Sequence, residues 1–114
     1  MSRGTYNRWA PLPHTLTLEL TSFCNLHCRM CPKTHHAVNT PENQVMTRDL
    51  FDRLQDILPS LRNVELSGLW GEAFMHPDLF LYMLGELKRH PILVTTTSNG
   101  TLLTDELARR LVEL

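Results

Sequence analysis

This sequence has no fourth cysteine, no excess of either charge and no long apolar run. Each absence excludes something. Eleven Lys and Arg against twelve Asp and Glu leave a net charge of −1. No basic field is there to draw nucleic acid or anionic lipid. No stretch approaches the roughly 20 apolar residues that span a bilayer. The first residues, Met1 to Trp9, hold no apolar signal core. The expectation is a cytoplasmic chain with neither a nucleic-acid partner nor a membrane. An odd count of three cysteines in a reducing compartment suits metal ligation better than disulfides. No internal repeat or low-complexity segment is present. What remains is 114 residues, 42% of them hydrophobic, enough for one small domain with one modest core.

The three cysteines stand within eight residues, Cys24-Asn25-Leu26-His27-Cys28-Arg29-Met30-Cys31. The spacing is Cys-x3-Cys-x2-Cys. Three close thiolates can hold three irons of a 4Fe-4S cube, where an ordinary ferredoxin cluster takes four cysteines. The fourth iron then lacks a protein ligand. An open metal position binds a substrate or cofactor, while a closed one supports structure. Two other readings stay open. Cys24, Cys28 and Cys31 with His35 make a Cys3His zinc set, closed and structural. A thioredoxin-like reading of Cys28-Arg29-Met30-Cys31 leaves Cys24 unexplained.

Around this motif the chain alternates strand and helix patterns. Residues 1–14 read as an irregular lead-in, opposed to regular structure by Pro11 and Pro13. Thr15 to Thr21 alternates, with Leu16, Leu18 and Leu20 on one face, which predicts a strand. Residues from Pro32 to Gln44 are polar, with Pro41 as a breaker. Thr47 predicts a helix cap, and Leu50, Phe51, Leu54, Ile57, Leu58 and Leu61 follow at helical spacing, with Pro59 marking the end. Asn63 to Ser67 reads as a second strand and Gly68 to Met75 as a loop. Pro77 and Asp78 open a helix running to about Arg89. Ile92 to about Thr97 reads as a third strand, Asn99-Gly100 as a turn, and Thr104 as the cap of a third helix. This β-α-β-α-β-α order predicts an α/β fold with a parallel sheet of three βα units and right-handed crossovers.

Parallel α/β folds place ligands at the carboxyl ends of their strands. The cysteine motif follows the first strand, Gly71-Glu72 the second, and Ser98-Asn99-Gly100 the third. The reading of elements alone therefore gathers all three on one rim.

The stretch from Leu18-Glu19-Leu20-Thr21-Ser22-Phe23-Cys24 to Cys31-Pro32 resembles the cluster-binding segment of radical S-adenosylmethionine (radical SAM) enzymes. The order of the downstream motifs matches as well. Gly71-Glu72 with His76-Pro77-Asp78 resembles the family's Gly-Gly-Glu-Pro segment, although Trp70 replaces the first glycine and Ala73 the proline. Thr97-Ser98-Asn99-Gly100-Thr101-Leu102-Leu103 resembles the turn after the third strand.

The resemblance implies a 4Fe-4S cluster on Cys24, Cys28 and Cys31, with S-adenosyl-L-methionine on its open iron. Met30, Gly71, Glu72, Ser98 and Asn99 are then the cofactor-binding candidates. Glu72 would meet the amino group of S-adenosylmethionine and Met30 would lie beside the adenine. Reductive cleavage would give a 5′-deoxyadenosyl radical that takes hydrogen from a peptide or small-molecule substrate, in peptide modification or cofactor biosynthesis. An electron donor such as flavodoxin or ferredoxin is implied too. Residues 15–114 correspond to the N-terminal half of a radical SAM core, the first half of a partial (β/α)6 TIM-like barrel. The expectation is that this piece alone self-associates and is inactive. A noncatalytic fragment is the further alternative.

Several of these residues have plainer readings. Without its context Glu72 is a solvated loop carboxylate. Ser98 and Asn99 are turn residues by type. Glu19 and Thr21 either point towards the cofactor or support the loop. His27, His35 and His36 are loop histidines.

Overall fold

The computed structural model describes residues 11–34, 43–67 and 70–114. Three strands form one parallel sheet in the order β1, β2, β3. They are β1 (Thr15–Leu18), β2 (Asn63–Leu66) and β3 (Leu93–Thr95). Thr15 pairs with Asn63 and Leu18 with Leu66; Asn63 pairs in turn with Leu93. Alternation decides the faces. Leu18, Val64 and Leu66 are buried on the helix side, while Thr17 and Thr95, both exposed, flank Glu65 on the other. The three βα units form the expected parallel α/β arc. Among the described residues, no helix is long and apolar enough to cross a membrane.

The first strand is shorter than its sequence pattern. Pairing with β2 stops at Leu18. Beyond it the chain pairs antiparallel with the segment before the first helix. Met46 donates its N–H to Leu20, Ser22 donates to Gln44, and Thr21 bridges Val45. Leu20 stays buried, so the alternation persists after the partner changes.

The first helix is also shorter. Helix α1 covers Arg48–Asp52, with the Thr47 hydroxyl accepting from the Leu50 N–H as predicted. From there the bonds tighten to i−3, as in Leu54 to Phe51, Gln55 to Asp52 and Ile57 to Leu54. A 3-10 turn over Leu58–Ser60 follows. Pro59 explains the change. It offers no N–H to Gln55 and disfavours α geometry at Leu58. Leu58 and Leu61 are still buried, because a 3.0-residue turn keeps much the same face inward as a 3.6-residue one.

Helix α2 (Pro77–Leu87) begins on a proline, whose missing N–H costs nothing there, and buries Phe80, Leu81, Met83 and Leu87. Helix α3 (Asp105–Glu113) is capped by Thr104, whose hydroxyl accepts from Leu107 N–H at 3.1 Å, and buries Leu107. Strand β3 ends before Thr97. At Thr96 the side-chain hydroxyl donates to the Leu66 carbonyl at 2.6 Å. Gly100 takes a φ of +77° in the following turn, a conformation open to glycine.

On the helix side Tyr82 donates to the Asp52 carboxylate at 2.7 Å, under the Arg48 guanidinium at 4.4 Å from the ring centre. The hydrogen bond to Asp52 raises the phenol above its ordinary range. A cleft of about 600 Å³ opens there, walled by Arg48, Asp78, Tyr82 and Arg110. It carries none of the strand-end motifs.

Candidate cofactor site at the strand ends

The loop after β1 begins with Thr21, whose buried hydroxyl accepts from the Phe23 N–H at 3.1 Å. Two turns follow, Cys31 N–H to Cys28 O at 3.1 Å and Thr34 N–H to Cys31 O at 3.0 Å. The Lys33 ammonium donates back to the Ser22 carbonyl and closes the loop on itself. All three cysteines are free; Cys24 and Cys31 are half-buried and Cys28 is exposed.

Among the described residues, no three His, Cys, Asp or Glu side chains form a group ready for one metal ion. That does not oppose a cube, in which each thiolate goes to a different iron. Three reduced thiols on one short, closed loop suit that donor set. His35 and His36 lie outside the described residues, as do Pro41 and Gly68. His27 is exposed.

The segment after β2 is held against this loop. The Trp70 N–H donates to a Glu19 oxygen at 3.0 Å, and the Glu72 N–H donates to the Phe23 carbonyl at 2.8 Å. Glu19 therefore supports the loop, one of its two sequence readings. Between these bonds Gly71 packs on the backbone of Thr21 and Ser22.

Glu72 is buried, 3% exposed. Its carboxylate accepts from Phe74 N–H at 3.2 Å, Ser98 hydroxyl at 2.6 Å and Asn99 N–H at 2.8 Å. The solvated reading of this carboxylate is corrected by its burial. Ser98 and Asn99 thus stand on the same rim as Gly71-Glu72, as predicted from the strand ends.

Asn25, which the sequence reading passed over, joins the turn after β3 to the cysteine loop. Its amide donates to the Thr101 hydroxyl at 2.8 Å and its oxygen accepts from the Asn99 amide at 3.0 Å. No local signal marks it, because its partners lie more than seventy positions away. Met30 is 89% exposed, in the first of the two turns. Phe23 meets the His76 ring edge-on, with centroids 6.1 Å apart. The His76 Nε2 is buried without a partner among the described residues.

With this arrangement the comparisons with known proteins converge. The family model described as "Radical SAM superfamily" matches residues 18–114. The chain belongs to the radical SAM superfamily. A curated relative is the tungsten-containing aldehyde ferredoxin oxidoreductase cofactor-modifying protein of Pyrococcus furiosus, 40% identical over 102 residues. That match covers 87% of this chain and 27% of the relative, so the chain spans about a quarter of the relative's length. Among solved structures, BtrN in complex with AdoMet and 2-DOIA has the same fold, with a TM-score of 0.69 at 23% identity. The superposition covers 90% of this chain and 42% of BtrN. BtrN in an open conformation gives a TM-score of 0.66 at 22% identity, over 90% of this chain and 46% of that one. These radical SAM folds place the three βα units as one arc of a TIM-like barrel.

Proposed function

We propose that these residues form the cluster-bearing part of a radical SAM enzyme. Cys24, Cys28 and Cys31 hold a 4Fe-4S cluster, and the rim beside them receives S-adenosylmethionine. The observation that carries this reading is the gathering of the segments after β2 and β3 around the loop after β1, which holds three free thiols. When bound, such a cluster would supply the electron for reductive cleavage of the S-adenosylmethionine sulfonium, the chemistry by which hydrogen would be taken from a substrate.

The chain's own residues prepare that chemistry. Lys33 and the Glu72 N–H fix the ends of the cysteine loop. Gly71 lets the backbone after β2 approach the loop closely, leaving its carbonyl as an acceptor for the amino group. Met30 presents a polarizable apolar surface to the adenine. Ser98 and Asn99 border the same space. The substrate is a cofactor or a peptide; the relative's role in modifying a cofactor favours the first. A small iron-sulfur or flavin protein, of the ferredoxin or flavodoxin kind, delivers the electron.

Anaerobic reconstitution tests the assignment. A full-length protein carrying these residues is expected to take up iron and sulfide and to cleave S-adenosylmethionine. Replacing any one of Cys24, Cys28 and Cys31 by Ala sharply lowers iron retention and abolishes cleavage. Full cleavage in all three variants overturns the reading. His35→Ala keeps its iron; loss of metal there would favour the zinc set.

A further inference from the structure

Three donors of the chain already occupy the Glu72 carboxylate, leaving at most one of its roughly four lone-pair sites. An incoming ammonium would have to displace Phe74 N–H, the Ser98 hydroxyl or Asn99 N–H. A buried carboxylate that loses such a donor is strongly penalised. The same residue donates its own N–H to Phe23, just before Cys24. Glu72 is therefore bonded to the loop after β1, the turn that opens α2 and the turn after β3.

From Asn99 the network continues. The Asn99 side-chain oxygen accepts from Thr101 N–H at 2.9 Å and from its hydroxyl at 2.8 Å. The Asn99 amide and the Thr101 hydroxyl both meet Asn25, the residue next to Cys24. We propose that Glu72 is a positioning residue. Its carboxylate fixes the turn after β3, and the Asn99–Asn25 pair carries that order into the cysteine loop. Glu72 then acts on the cofactor through the loop. The cluster arm of this inference rests on the proposed function; the network itself does not.

Amide hydrogen exchange on the metal-free protein is the first test. In Glu72→Gln the side-chain amide turns a donor towards other donors. Exchange at Asn99 or at Phe74, whichever N–H then faces the amide nitrogen, rises about tenfold or more. Asn25→Ala alters an exposed position and keeps the fold. It speeds exchange at Thr101 and alkylation of half-buried Cys24. In reconstituted protein both variants change the electron paramagnetic resonance signal of the reduced cluster, which a loss of global stability alone leaves unmoved.

Wild-type exchange at both Asn99 and Phe74 in Glu72→Gln, with weakened S-adenosylmethionine binding, overturns the inference in favour of direct contact. Unchanged Thr101 exchange and Cys24 alkylation in Asn25→Ala overturn it too, and decide the matter should Glu72→Gln not fold. Failure of the cluster assignment shows separately, as unaltered protein that takes up no iron.

Discussion

Gly71 and the carbonyl of Thr21 lie so close that no side chain fits between them. A Cβ built at Gly71 would stand 1.8 Å from the Thr21 oxygen and 2.7 Å from its carbonyl carbon. Both are backbone atoms, so no rotamer change relieves the clash. Gly71→Ala must part the segment after β2 from the cysteine loop. Overpacking of this kind costs about 1–3 kcal/mol, and a backbone clash belongs at the upper end. Urea unfolding of the variant is expected to show that loss in its midpoint. An unchanged midpoint would mean that the two segments separate freely.

Met30 offers a gentler test of the rim. Its side chain is solvent-exposed and supports nothing in the core. Met30→Ala is expected to leave stability and iron content unchanged. A sulfur–aromatic contact is worth about 0.3–1.5 kcal/mol, so affinity for S-adenosylmethionine falls by roughly two- to tenfold. Calorimetry on reconstituted protein reads this directly. Equal affinity removes Met30 from the adenine site.

Tyr82 predicts a pH effect away from the rim. Its hydrogen bond to Asp52 favours the protonated phenol and raises the folded pKa above the ordinary 10.0. The contribution to stability is whole below the unfolded pKa and is lost as pH rises through the folded value. An ultraviolet titration, with Tyr82→Phe subtracted to remove Tyr6, is expected to place Tyr82 above the normal range. Asp52→Asn is expected to bring it back. A normal titration in the unaltered protein refutes the bond.

The sheet edges carry the fourth expectation. Among the described residues β1 and β3 each have one strand neighbour in the sheet, and Leu93 on β3 is 63% exposed. Unpaired strand edges invite another chain. A polypeptide of these 114 residues alone is expected to self-associate. Sedimentation across a concentration series measures it. A monodisperse monomer would show that both edges are protected.

The sequence revealed most where the cause was local. Alternation in Thr15–Leu18 and the hydroxyl caps at Thr47 and Thr104 depend on neighbours within a few residues, and the structure shows each. The order of strands placed three motifs on one rim before any coordinate was needed. Helix α1 was overextended because 3-10 and α turns bury nearly the same leucines. Strand β1 was overextended because alternation records which face is buried and is silent about the partner strand. The bonds at Glu72 and Asn25 were invisible for a different reason. Those that reach the turn after β3 join residues 26 to 76 positions apart, and a lone carboxylate or amide carries no sign of such a partner.

Ser22 gives the chain a knot where it leaves the cysteine loop and returns. Its carbonyl takes the Lys33 ammonium, while its N–H and hydroxyl hold Gln44. Lys33 and Gln44 are therefore anchored on one amino acid. A change at Ser22 loosens the far end of the cysteine loop and the approach to α1 together.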